Sequence, residues 1–134
     1  MELQAEGLTL PEAFARIGLG LFATAVDPAS VVEADVREVR AHGAGLPALL
    51  CHWLQECLYV HEVEGFACRS IDFAVFDSAP AAGGEALRLH AFLRGETIDP
   101  SRHRIKAVIQ NIKEGPSLVQ GRERGFTVHA VLEV

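Results

Sequence analysis

Residues 9–27, TLPEAFARIGLGLFATAVD, decide how this chain begins to fold. Leu10, Phe14, Ile17 and Leu21 recur at the spacing that places them on one face of a helix. Thr9 and Glu12 stand at capping-box spacing, and Pro11 falls in the first turn, where its missing N–H costs nothing. Asp27-Pro28 ends the helix after about Ala25, because the residue before a proline is pushed out of helical angles. Gly18 and Gly20 lie inside the helical pattern and not between a strand and a helix. They read as close-packing positions, not as a nucleotide-binding turn.

Upstream of this helix, Leu3 and Ala5 alternate with polar neighbours and predict a short strand over residues 1–6. Downstream, Val32, Ala34 and Val36 alternate with charged residues. The pattern then slips to Val39 and Ala41, which predicts a bulge near Glu38. In the second helix Leu46, Leu49, Leu50, Trp53, Leu54, Cys57 and Leu58 cover one broad face, with Gly65 as its terminator. Period-two alternation follows at 71–76, 87–94, 105–110 and 126–134, with a shorter strand near 117–120, a loop over 80–84 and a turn over 121–125. The expected fold is one two-layer α+β domain over residues 1–134, a mostly antiparallel sheet with two amphipathic helices on one face, in the order β-α-β-α-β-β-β-β.

Composition narrows the function classes. The chain has 134 residues, enough for a single domain with a real core. Although 49% of it is hydrophobic, no apolar run reaches the ~20 residues that a membrane span needs. The start, MELQAEG, has no basic-then-apolar leader, so a cytoplasmic location is expected. Cys51, Cys57 and Cys68 are odd in number and form no C-x-x-C pair, which makes packing their expected role. Eighteen acidic against twelve basic residues give a net charge of −6. The basic residues are scattered along the chain with no aromatic platform among them, so strong direct nucleic-acid binding is not expected. An acidic surface suits a basic protein partner or a cation.

Candidate chemistry is sparse. His52 and Glu56 stand at i, i+4 with Tyr59 a turn further on, a spacing that could hold a metal and that any solvated helix face also shows. His103 follows Asp99-Pro100 in a turn, and His90 and His129 lie on the less apolar faces of strands; all three suit structural roles. None of the serines has the context of a nucleophile elbow. Asp27, where the first helix gives way to a loop, can open a turn or reach a cation. Glu133 is ordinary on a wet strand face and needs a partner on a covered one.

Three stretches in combination carry a resemblance. The first helix has Thr9, Leu10, Glu12, Ala13 and Phe14, then Leu21, Phe22 and Asp27. The second has Trp53, Leu54, Glu56, Leu58 and Tyr59. The third has Gly95, Glu96, Asp99, Pro100 and His103, followed by Ile105, Lys106 and Ala107. In this order the chain resembles the archease family over nearly its whole length. The resemblance implies an accessory protein that promotes guanylylation and multiple turnover of the RNA-splicing ligase, acting on tRNA or another RNA without catalysis of its own. It also implies a divalent cation, with calcium a candidate, at an acidic site. Carried over residue by residue, Lys106 is implied to assist the ligase, and Asp27 and Glu133 to bind the metal.

Three departures stand against the family pattern. Its opening H-T-A-D motif is missing, with the Asp expected immediately before Met1, which suggests a start set one codon late or a trimmed chain. Val108-Ile109-Gln110-Asn111 replaces the usual Thr-Tyr-His after the lysine strand, and Glu133 replaces an aspartate. A hard cation needs several oxygens at once, so a weak or absent metal is expected. Two other readings stay open from the residues alone: a chaperone-like protein-binding module without metal, and a small hydrolase built around His52 and Glu56.

Overall fold

The computed structural model describes residues 1–79 and 86–134. The loop expected at 80–84 lies outside the described residues. The described elements run β1 (Glu2–Gly7), α1 (Leu10–Ala25), β2 (Asp35–Gly43), α2 (Leu46–Glu62), β3 (Phe66–Asp77), β4 (Leu87–Thr97), β5 (Asn111–Ile112), β6 (Leu118–Arg122) and β7 (Gly125–Glu133), with a short 3-10 turn at Pro28–Ser30. The α+β class and the two-helix architecture agree with the expectation, and every strand pairing is antiparallel.

The strands divide into two sheets. In one, β7 pairs with β1 (Leu3 opposite Ala130), with β6 (Val119 opposite Val128) and with β5 (Ile112 opposite Leu132). In the other, β4 is central between β2 and β3. Helix α1 packs on β1 and β7 of the first sheet and on β3 of the second, and α2 packs on β2, so the helices join the sheets through one core.

The first helix is built as its pattern predicts. Thr9 Oγ1 accepts from the Glu12 N–H at 3.2 Å, while the Glu12 carboxylate pairs with Arg16 instead of closing the capping box. Phe14, Ile17 and Leu21 are fully buried. Trp53 of α2 is fully buried as well and donates its indole N–H to the Phe14 carbonyl at 2.9 Å, which satisfies the one polar atom of the largest core side chain. A Cβ on Gly18 would stand 2.9 Å from the Trp53 ring, so this glycine does allow close approach; at Gly20 the nearest atom would be 3.8 Å away. Gly65, with φ of +63°, follows α2 in the left-handed conformation that glycine tolerates. All three cysteines are free and buried.

Two local expectations need correction. β2 has an unbroken register from Asp35 to Gly43, so there is no bulge near Glu38. Val32 and Ala34 belong to the preceding loop, and their alternation with acids is a loop pattern; Val31 is the residue buried there. The irregularities fall in β3, between Cys68 and Ser70 and between Phe73 and Val75. The second turns Phe76 inward onto Phe14, with ring centroids 4.9 Å apart, and leaves Val75 exposed. Residues 105–110 do not form a strand: Ile105 makes one bridge to Val26, and ladder pairing begins only at β5.

The closest backbone approach lies at Gly95 of β4, where an added Cβ would collide with the Ala67 carbonyl oxygen of β3. Backbone cannot yield as a flexible side chain can. Gly95→Ala is therefore expected to lower stability in urea denaturation by at least about 2 kcal/mol. Gly20→Ala, which fits its space and removes a helical glycine, is expected to raise it by about 0.5–1 kcal/mol. Equal effects at the two positions would contradict this packing.

Candidate functional site

The stretch after β4 is organised by its own polar side chains. Asp99 Oδ1 accepts from the Ser101 N–H at 2.9 Å and from the Ser101 hydroxyl at 2.7 Å, and these bonds hold its carboxyl below the usual aspartate range. The Asp99 carbonyl accepts from the N–H groups of Arg102 and His103. His103 folds back so that its Nδ1 accepts from the Asp99 N–H at 2.9 Å. The sequence Asp-Pro-Ser-Arg-His is thus a closed turn, with the proline preset for its first corner.

That turn is locked to the loop after α1 by a buried carboxylate. Glu96 is 8% exposed. One oxygen accepts from the Val32 N–H and lies 3.3 Å from His103 Nε2; the other is bound by the Arg102 guanidinium. With Nδ1 accepting from the Asp99 N–H, His103 Nε2 is directed at Glu96 and at the Ser30 carbonyl 3.2 Å away. A buried carboxylate without such partners would be costly. The Arg102 bond, then the Val32 N–H, hold the Glu96 carboxyl below its ordinary range. Arg69 of β3 pins the same loop, donating to the carbonyls of Pro28 at 3.3 Å and Val31 at 2.9 Å.

With both loops fixed, the next residues bridge two distant parts of the fold. The Lys106 N–H donates to the Ala25 carbonyl at 2.7 Å, and the Gln110 N–H donates to the Glu133 carbonyl at 2.7 Å. Four residues span at most about 14 Å, so Lys106 lies on a short tether between the end of α1 and the end of β7. Its side chain is exposed, and among the described residues no hydrogen bond or ion pair engages its ammonium. Ile105 and Val108 beside it are 45% and 67% exposed.

Asp27 and Glu133 occupy the two ends of this tether region. Asp27 is exposed and uses Oδ1 to cap the 3-10 turn, accepting from the Ala29 N–H at 3.0 Å. Glu133 is exposed and pairs through its backbone with Asn111 of β5. Among the described residues no group of three or more His, Cys, Asp or Glu side chains is placed to hold a metal ion. Two carboxylates, one of them committed to a turn, do not supply the oxygen cage that a hard cation takes, so this donor set alone does not fit such an ion.

The second-helix pair is a structural link. His52 Nδ1 accepts from the His42 N–H at 3.0 Å, which leaves Nε2 to face Glu56 at 3.2 Å. Nδ1 holds α2 to β2, and Nε2 is paired within the helix. His129 lies near the Pro116 carbonyl, 3.4 Å from Nδ1. Local sequence pattern does not mark the roles of Glu96 and Arg69. The available signal for Glu96 was a lone acid at a strand end, three residues before Asp-Pro and seven before His103.

Comparison with known proteins gives one family. The model of the Archease protein family matches residues 1–131. Protein archease of Pyrococcus abyssi is 34% identical over 110 residues, covering 82% of this chain and 74% of that protein. Protein archease of Saccharolobus islandicus is 24% identical over 132 residues, covering 98% of this chain and 90% of that protein. The solution structure of Methanobacterium thermoautotrophicum protein 1598 superposes with a TM-score of 0.71 at 19% identity, over 99% of this chain and 89% of that one, a likeness of fold.

The bonds that lower the Glu96 pKa make its contribution to stability depend on pH. A carboxyl more acidic when folded contributes stability above its unfolded value, about 4.3, and that stability is lost as pH falls through the folded value. Glu96→Gln also puts an amide donor among donors. The variant is expected to melt below the parent at pH 7, with the gap closing as pH is lowered below the ordinary glutamate value. A gap independent of pH in thermal melts would contradict the brace.

Proposed function

The chain belongs to the archease family, and on that premise we propose that it is an accessory protein of the RNA-splicing ligase. In this reading it promotes guanylylation and repeated turnover of the ligase and catalyses nothing by itself. The observation that carries the reading is the state of Lys106: an exposed ammonium on a backbone tether bonded at both ends, with exposed Ile105 and Val108 beside it. A preplaced cation of this kind can enter a partner's active site and stabilise charge developing on a phosphoryl group, with little ordering left to do on binding. The apolar neighbours supply contact area for a protein surface.

The net charge of −6 supports a protein partner over strong direct RNA binding. A divalent cation, with calcium a candidate, belongs to the proposal only as a shared ligand: Asp27 and Glu133 would give it a few oxygens, and water and the partner would give the rest. Among the described residues no helix is long and apolar enough to cross a membrane.

The test is multiple-turnover RNA ligation by a cognate ligase. Stimulation by the wild-type protein is expected, with Lys106→Ala reducing it to background while circular dichroism stays unchanged. Asp27→Asn keeps the turn cap but removes the charge, and it should weaken stimulation most at low calcium. Calcium titrated into the protein alone should bind weakly, in about the millimolar range. A ligase indifferent to the protein, or a Lys106→Ala variant as active as the parent, would refute the reading.

A further inference from the structure

The outer face of the β2-β4-β3 sheet carries an arrangement that the ligase reading does not use; at its edge the His42 ring packs edge-on against His52 of α2, with centroids 4.8 Å apart. In the β2–β4 register Arg40 stands opposite His90, and His42 stands opposite Arg88. Four basic side chains thus form a two-by-two block, with neighbours across the strands about 5 Å apart at Cβ. Among the described residues neither Arg40 nor Arg88 has an ion-pair partner. His90 Nε2 is sealed from solvent without a hydrogen-bond partner, its nearest carboxylate being Glu38 at 3.6 Å. A cavity of about 390 Å³ opens among these four side chains, with Val75 as an apolar wall and, among the described residues, no acidic side chain lining it.

From this geometry we propose that the block is a binding site for a discrete phosphate group carried by a small molecule, a phosphomonoester. Two guanidinium forks match phosphate oxygens in paired hydrogen bonds, and His42 and His90 line the cavity beside them. The cavity is of a size that takes a small organic body beside the anionic group. Acidic residues frame the block on the same sheet face: Glu38 beside His90, Asp72 paired with Arg94, and Asp77 opposite Arg88 in register. That frame interrupts any basic track, so one anion is accommodated and a nucleic-acid backbone is not. The basic block was invisible as a cluster in the sequence because its halves lie on strands 48 residues apart, Arg40 against Arg88. The site is independent of Lys106 and of any ligase.

The experiment is an amide-resolved NMR titration of the full chain at constant ionic strength, with inorganic phosphate and adenosine 5′-monophosphate as probes and a single-stranded oligoribonucleotide for comparison. Saturable shifts at Arg40, His42, Arg88 and His90 are expected with both small probes, with tighter binding of the nucleotide. Arg40→Gln and Arg88→Gln are each expected to weaken binding about tenfold. Arg124→Gln, which removes the same charge from the β6–β7 turn, should leave it unchanged. Both strand variants replace exposed side chains, and their dispersed spectra would verify the fold. Non-saturable shifts, equal weakening by Arg124→Gln, or oligoribonucleotide affinity that grows with length and surpasses the nucleotide would overturn the proposal.

Discussion

A buried carboxylate governs the geometry of everything that surrounds the candidate site. Glu96 ends the central strand of the second sheet, and it cannot be left there without partners. Its oxygens are met by the Val32 N–H from one loop and by Arg102 and His103 from another. Neither loop has a regular ladder to hold it. The acid therefore fixes the 28–34 loop against the 99–103 turn, and Arg69 secures the first of them from β3. Only with these in place does Ile105 meet Val26 and the Lys106 N–H meet the Ala25 carbonyl.

The region so built combines a fixed backbone with uncommitted side chains. The histidine that precedes the tether, His103, is spent on structural bonds. Its two nitrogens join an aspartate backbone to a carboxylate and a carbonyl, so it transmits position and has no lone pair left for a substrate. Lys106, in contrast, has its backbone engaged and its ammonium available.

The sequence made the helices plain because their signals are local. Leu10, Phe14, Ile17 and Leu21 declare one face of α1, and Thr9 declares its start. Where tertiary partners decided the outcome, local pattern misled. Val32 and Ala34 alternate like a strand, yet the Val32 N–H goes to a carboxylate and not into a ladder. Residues 105–110 alternate too, but of these only Ile105 forms a β-bridge, an isolated one to Val26. In β3 the irregularity between Phe73 and Val75 exchanges the faces of Val75 and Phe76, which no period-two reading contains. Lys106 was legible only through resemblance, since a lone lysine carries no pattern. Glu96 and the opposition of Arg40 to His90 and His42 to Arg88 needed the register of strands far apart in the chain.

The dependence of the Lys106 tether on the Glu96 brace is open to one direct measurement, amide hydrogen exchange at Lys106 and Gln110 in the parent and in a chain lacking the Glu96 carboxylate. Both amides should exchange much more slowly than in an unstructured peptide in the parent, and Lys106 should lose that protection first when the carboxylate is gone. Free exchange at Lys106 in the parent, or protection unaltered by loss of Glu96, would show that the tether is not held as described.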